Sequence, residues 1–431
     1  MSQTTIALII IAITMLLFAL ETFSLATTAM LSMLAMVLTG IISSRDAFAC
    51  FTNSAVLLII GLMIMLEALQ QAGVMDKIGR LLTIFSKGGE KRFVLILIII
   101  VALLSMFVNN SPLVAVFMPI ISAVAASSSG TITKKNTFLP TSYAALIGGV
   151  GSLAGSTLPL VSSEMLISTG EDGLGFFEPF PIMLVVLIVI VICYQLFLYK
   201  LVCKFFDFEE VKDEPANTED LKLDSKSVPS NKKNFILSLS VFLACVVLFV
   251  VQPFGWDMGL SSIMGAMVLI VTKCIDGKVA LQKINWTVVV IVGATLGMAQ
   301  GFVSSGAGEF IIGWILSLFG DAIYNPVVLL TIFMVTGNLL SMFMYNGSLN
   351  SMLCALAIPL AQTIGCDPKP IVMGCFFGVS FAMAMPSASV TLAIVQGAGY
   401  RIKDYFRVGA ITGTICLVTS WASIILIYGL I

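Results

Sequence analysis

Along this chain apolar positions gather into long runs separated by short polar loops, and alternating strand-like patterning is absent. Runs near twenty residues read as membrane-crossing helices, because about 20 apolar residues in α-helix cover the ~30 Å hydrocarbon core of a bilayer. They fall at about 4–21, 24–42, 53–71, 93–126, 138–169 and 179–201, and again at about 235–251, 258–273, 285–304, 326–364, 371–397 and 407–430. Between the two sets lies the only long hydrophilic stretch, 207–234, mixed in charge and carrying Pro215 and Pro229, which reads as a linker. The order of elements matches between 1–206 and 235–431: two plain spans, a third followed by an amphipathic segment, a long broken run, a second broken run and a closing span. The third elements align by residue, Gly61, Gly73 and Gly79 of one echoing Gly293, Gly306 and Gly313 of the other. The amphipathic pieces, Val74 to Phe85 and Phe310 to Phe319, are too short to span and are expected to lie along the interface.

Polar interruptions inside the apolar runs change this picture most. Asn110-Ser111 is followed after seven residues by Pro119, and Asn350-Ser351 after seven by Pro359. Each is followed by a second small, polar, proline-bearing break, Gly155-Ser-Thr-Leu-Pro159 and Pro386-Ser-Ala-Ser-Val-Thr391. Amides and hydroxyls at membrane depth are costly unless they meet a partner or a solute. Matched interruptions in two halves point to the binding site of a transporter. A single Asn-Ser pair would more simply be glue between helices; its recurrence at one distance from a proline in both halves favours the site. The runs 93–126 and 326–364 break centrally, and a re-entrant hairpin is the favoured reading, although two full spans fit their length equally well. Broken helices are expected at 138–169 and 371–397.

With the hairpins counted as non-crossing, each half has five spans, and an odd number makes the second half an inverted copy of the first. The basic loops agree. Lys77 to Arg92, Lys134 and Lys135, Lys200 to Lys233, Lys273 to Lys283 and Arg401 to Arg407 then share one side, the cytoplasmic side by the positive-inside rule. The 207–234 linker is expected there too, and the loop with Glu164, Glu171, Asp172 and Glu178 on the outside, with both termini. The first run, Ile6 to Leu20, lacks a basic flank and is expected to be a span, not a cleaved signal.

Composition narrows the function classes. Of 431 residues 59% are hydrophobic and only 10% charged, against about 25% charged in soluble domains. Net charge is −1, and with basic residues confined to short loops nucleic-acid binding is not expected. The chain has no histidine and its nine cysteines form no CxxC pair. The usual general base and zinc ligand are therefore missing, no nucleophile–base pair is evident, and an enzyme is the least favoured class. Gly149-Val-Gly151 resembles part of a dinucleotide loop, but without βαβ context helix packing explains it better. Glu67 could be a cation site or simply lie near the end of its span.

The breaks supply matching chemistry. Each hairpin tip starts a new helix whose unpaired N–H groups and dipole favour an anion. The freed carbonyl and hydroxyl oxygens suit a hard cation such as sodium.

At these residues the sequence resembles the divalent anion–sodium symporter family of the ion-transporter superfamily. Val108-Asn-Asn-Ser-Pro-Leu-Val-Ala-Val-Phe-Met-Pro119 resembles its first hairpin tip, and Phe138 to Gly149 with Gly155-Ser156 its first broken helix. Pro386 to Val395 and Gly399 to Gly409 resemble the second broken helix and its exit. The tips read Asn109-Asn-Ser111 and Leu349-Asn-Ser351 where the family has Ser-Asn-Thr. The resemblance implies an all-α polytopic protein of the cell membrane. It implies a scaffold and a transport domain moving as an elevator, and a homodimer in the lipid bilayer. It also implies symport of a small di- or tricarboxylate or related oxyanion with sodium, and no other cofactor. Ser105, Asn109, Asn110 and Gly155 would form one sodium site, and Ser348, Asn350 and Ala388 the other. Asn110, Ser111, Ser156, Thr157, Asn350, Ser351, Ser389 and Thr391 would face the substrate. The alternatives are a proton- or sodium-linked antiporter or metalloid-anion efflux carrier of the same superfamily, and a non-transporting membrane assembly subunit.

Overall fold

A computed structural model describes residues 2–20, 23, 25–73, 88–128, 131–206, 232–284, 286–307, 324–342, 346–396 and 398–430. The amphipathic segments expected at 74–85 and 310–319, and the linker up to residue 231, lie outside the described residues.

The described residues form helices and no strands. In the first half these are α1 (Gln3–Leu20), α2 (Leu25–Leu38), the short α3 (Ser44–Ala49) and α4 (Ser54–Gln71). There follow α5 (Glu90–Ser105) and α6 (Asn110–Ser127), then α7 (Phe138–Gly149) and α8 (Thr157–Ser168). The half closes with α9 (Phe180–Cys193), which runs through a π-turn at Tyr194–Leu198 into α10 (Tyr199–Phe205). The second half repeats the order: α11 (Lys232–Val251), α12 (Met258–Val271), α13 (Gly277–Gln282), α14 (Trp286–Ser304), α15 (Pro326–Ser341), α16 (Asn346–Thr363), α17 (Pro368–Ser380) and α18 (Val390–Gln396). It closes with α19 (Ile402–Asp404), a π-turn at Tyr405–Gly409 and α20 (Ala410–Tyr428). The expected linker ends early, since Lys232 to Asn234 already belong to α11. Four helical stretches, Ser44–Gln71, Phe180–Phe205, Lys233–Val251 and Ile402–Tyr428, are long and apolar enough to cross a membrane.

Packing is reciprocal between the halves. Helix α4 lies against α12 while α14 lies against α2, and α6 meets α18 while α16 meets α8. Within each half the first hairpin arm packs on the first arm of the broken helix, α5 on α7 and α15 on α17. Small residues permit these approaches, since in lipid close backbone contact must supply what hydrophobic burial supplies in water. A Cβ at Gly148 would collide with the Ala102 carbonyl, and one at Gly378 with that of Met334. On α4, Gly61 sits against Ser262 of α12, whose hydroxyl donates to Leu57 O at 3.1 Å. All twelve residues of α7 and twelve of the thirteen of α17, all but Lys369, are buried. These two broken-helix arms therefore form the centre of the molecule, and the site is built around their ends.

Candidate functional site

Residues 106–109 separate the two helices of the first hairpin. There Ser105 ends α5, Asn109 takes an extended conformation (φ −53°, ψ 136°) and Asn110 begins α6. Both Ser105 and Asn110 are buried. The Ser105 hydroxyl lies 2.7 Å from Asn110 Oδ1 and 2.8 Å from the Ala145 carbonyl of α7, sharing its proton between them. Two glycines make room for this cluster. A Cβ on Gly149 would overlap Asn110 Oδ1, and one on Gly155 would overlap the Ser105 carbonyl and stand 2.8 Å from that of Gly149. Oxygens of Ser105, Asn110 and Gly149 thus gather around glycine backbone, with no Lys or Arg among the described residues taking part. A hard monovalent cation is the species such an oxygen set would hold. Three of the four residues expected for the first sodium site, Ser105, Asn110 and Gly155, are brought together here, and Gly149 joins them.

The second hairpin repeats the arrangement in a different register from the one its sequence suggested. Ser341 ends α15 and Asn346 begins α16. The Ser341 hydroxyl donates to Asn346 Oδ1 and faces the Val379 carbonyl of α17 at 3.1 Å. In position and bonding the counterpart of Asn110 is therefore Asn346, not Asn350. Asn350 lies one turn further into α16, wholly buried, and its amide nitrogen donates to Leu158 O (3.2 Å) and Ser162 Oγ (2.9 Å) of α8. Its carbonyl faces the Cys354 thiol at 3.8 Å. Ser351 bonds back to Gly347 of its own helix at 3.0 Å. The Asn-Ser-x7-Pro repeat misaligned the halves by four residues, about one helical turn. Ser341 and Asn346 could have been found by a different signal, a serine five residues before the asparagine that opens the second arm, present in both hairpins. Ala388 is buried in the short turn Pro386–Ala388. Of Ser348 only the backbone is described.

The breaks complete the floor between the halves. Ser156 is the N-cap of α8 in extended conformation (φ −147°, ψ 164°), and its hydroxyl is buried without a hydrogen-bond partner among the described residues. Thr157 opens the same helix, so free N–H groups and an unused hydroxyl face one place. Ser389 is extended and accepts from Thr391 N at 3.2 Å, starting α18. Thr391 Oγ1 is 3.0 Å from Ser111 Oγ, bringing the first hairpin's second arm to the second broken helix. A small cavity of about 40 Å³ is bordered by Asn109, Ser156 and Thr157 on one side and by Ile59, Leu62 and Met63 of α4 on the other. Ser152, which the sequence did not single out, ties the first break to the hairpin by donating to the Met106 carbonyl, and accepts from Ala154 N at 3.1 Å. Glu164, expected in an outer loop, lies instead within α8 and is 8% exposed.

Comparison with known proteins agrees with this architecture. A profile of the citrate transporter family matches residues 15–378. An uncharacterized transporter of Haemophilus influenzae is 24% identical over 417 residues, 92% of this chain and 86% of the relative. The sodium-dependent high-affinity dicarboxylate transporter 3 of Caenorhabditis elegans is 24% identical, covering 91% of this chain and 77% of its own. The crystal structure of the YdaH transporter of Alcanivorax borkumensis superposes with a TM-score of 0.64 at 15% identity, over 99% of this chain and 97% of that one, a likeness of fold. With a profile match over most of its length and hairpins and broken helices meeting at one site, the chain belongs to the citrate transporter family.

Proposed function

We propose that this transporter carries a small di- or tricarboxylate into the cell together with sodium. The reading rests on one observation, the oxygen cluster of Ser105, Asn110 and Gly149 beside the unpartnered Ser156 hydroxyl at the start of α8. Sodium held by the oxygens would neutralise the tip, and the helix N-termini of α6 and α8 would then accept a carboxylate. The Ser341–Asn346 pair is the second sodium position in this reading, replacing Ser348 and Asn350. Relatives named for sodium-dependent dicarboxylate transport support the cation and the substrate class.

The reciprocal packing of α4 with α12 and α14 with α2 supports an inverted repeat. In that arrangement the hairpins and broken helices form a transport domain that slides as an elevator against a scaffold, in a homodimer with the 207–234 linker cytoplasmic. Uptake of labelled succinate and citrate into proteoliposomes tests the reading. An inward sodium gradient should drive accumulation and an equal potassium gradient should not. Equal uptake under both gradients would remove sodium from the mechanism, and no uptake of either acid would remove the substrate class.

A further inference from the structure

Two cavities lie along one face of α8, and the larger one is lined in part by carboxyl groups. The larger, about 630 Å³, is lined by Glu164 and Asp172, by Asp257 at the start of α12, and by the amides of Asn53 and Gln252. The smaller is the cavity at Asn109, Ser156 and Thr157, and Leu153 and Leu160 border both. Thr157, Leu160 and Glu164 are three and four residues apart and share one helix face. That face runs about 12 Å from Ser156 to Glu164 at 1.5 Å per residue. It is thus a continuous wall from the large cavity to the unpartnered Ser156 hydroxyl.

Glu164 is buried on this wall, with Asn53 hydrogen-bonded to its carboxyl. The charged groups facing it are the carboxylates of Asp172, on the segment after α8, and Asp257, which accepts from Leu260 N at 2.6 Å. No Lys or Arg lines the cavity among the described residues. A polyanion moving along this wall meets like charge whenever Glu164 is ionised, and the low-dielectric surroundings enlarge that repulsion. The matching arm of the second half, Val390–Gln396, carries no acidic residue, so the obstacle exists on one route only.

We propose that Glu164 is the charge filter of this access route: protonated, it admits the anion, and ionised, it turns the anion away. The inference rests on the anion-transport reading and adds a specificity-determining residue to it. Because ionisation grows as pH rises, the KM for a polyanion should climb with external pH, while the maximal rate changes little. The test is initial-rate uptake of succinate and citrate into proteoliposomes from pH 5.5 to 8.5 at a fixed sodium gradient. The substrates' own titration acts equally on every variant, so only differences between variants count. Across this range the wild-type KM should rise by roughly tenfold more than that of Glu164→Gln, and Glu164→Asp should follow the wild type. If the Gln variant does not reach the membrane, Glu164→Ala carries the same expectation. Superimposable KM–pH curves for wild type and neutral variant, or an Asp variant behaving like Gln, would overturn the filter and leave transport standing. Failure of the wild type to carry either acid would overturn both.

Discussion

Asn110 and Asn350 share a residue type and a sequence neighbourhood but do different work. Asn110 offers its side-chain oxygen to a cluster of oxygens, whereas Asn350 spends its amide nitrogen on α8. Opposite phenotypes are expected. Asn110→Ala and Asn346→Ala should each raise the sodium concentration for half-maximal uptake by about tenfold or more, the ratio that about 1.4 kcal/mol of lost ligation produces. Their thermal midpoints should stay near wild type. Asn350→Ala removes two interhelical hydrogen bonds, each worth about 0.6–2 kcal/mol within a membrane bundle. It should lower the thermal midpoint in detergent while leaving sodium dependence intact. Sodium titration of uptake and thermal denaturation of the same preparations separate the two roles, and a sodium shift in Asn350→Ala with no loss of stability would reverse the assignment. The sequence marks this distinction only by the serine five residues before each asparagine that opens a second arm, Ser105 before Asn110 and Ser341 before Asn346. In an almost fully buried helix such as α16 apolar periodicity is weak, so periodicity does not fix which polar residue faces the turn, and the Asn-Ser-x7-Pro motif supplies the wrong register.

At the scale of elements, the helix breaks were legible because asparagine, glycine and proline interrupt long apolar runs, and such interruptions are too costly in lipid to be incidental. The observed arms, Glu90–Ser105 with Asn110–Ser127 and Pro326–Ser341 with Asn346–Thr363, lie within a few residues of the expected bounds. Contacts between elements distant in sequence left no such mark. Glu90, at the base of the first hairpin, accepts from Thr133 N (2.7 Å), Thr133 Oγ1 (2.5 Å), Asn136 Nδ2 (2.9 Å) and Tyr199 OH (2.6 Å). One carboxylate thereby fastens α5 to the segment before α7 and to α10. Tyr400 reaches the same segment from the second half, its hydroxyl donating to Lys135 O at 2.5 Å and accepting from Leu139 N at 3.2 Å. Glu90→Gln keeps a single oxygen acceptor and presents an amide to the remaining donors, leaving buried groups unsatisfied at about 1–3 kcal/mol. The thermal midpoint should fall by several degrees, and proteolysis within 129–137 should quicken in the folded protein. An unchanged midpoint would mean that the clasp contributes nothing. The π-turns at Tyr194–Leu198 and Tyr405–Gly409, which adjoin the mutually packed α9 and α20, were likewise unmarked in sequence.

For the whole molecule, the decisive property is that each half completes the other. The second arm of each hairpin rests on the second arm of the opposite broken helix, α6 on α18 and α16 on α8. Neither half therefore closes the site alone. The repeated order of elements in 1–206 and 235–431 could be read from the sequence, but how the two sets pack depends on side chains more than two hundred residues apart. Ser111 and Thr391, with oxygens 3.0 Å apart, are one such pair. A cysteine at each position should form a disulfide, since a hydroxyl contact this close puts the Cβ atoms near the separation a disulfide requires. With nine native cysteines present, the cross-link is best read through a protease site placed in 207–231. After cleavage the halves of the double variant should migrate together without reductant and apart with it, whereas either single variant should always separate. Cross-linking should also halt uptake, reversibly, if the solute must pass between these arms. Separation of the halves in the oxidised double variant would mean that the first hairpin and the second broken helix do not meet, and the two-half site would fall with that contact.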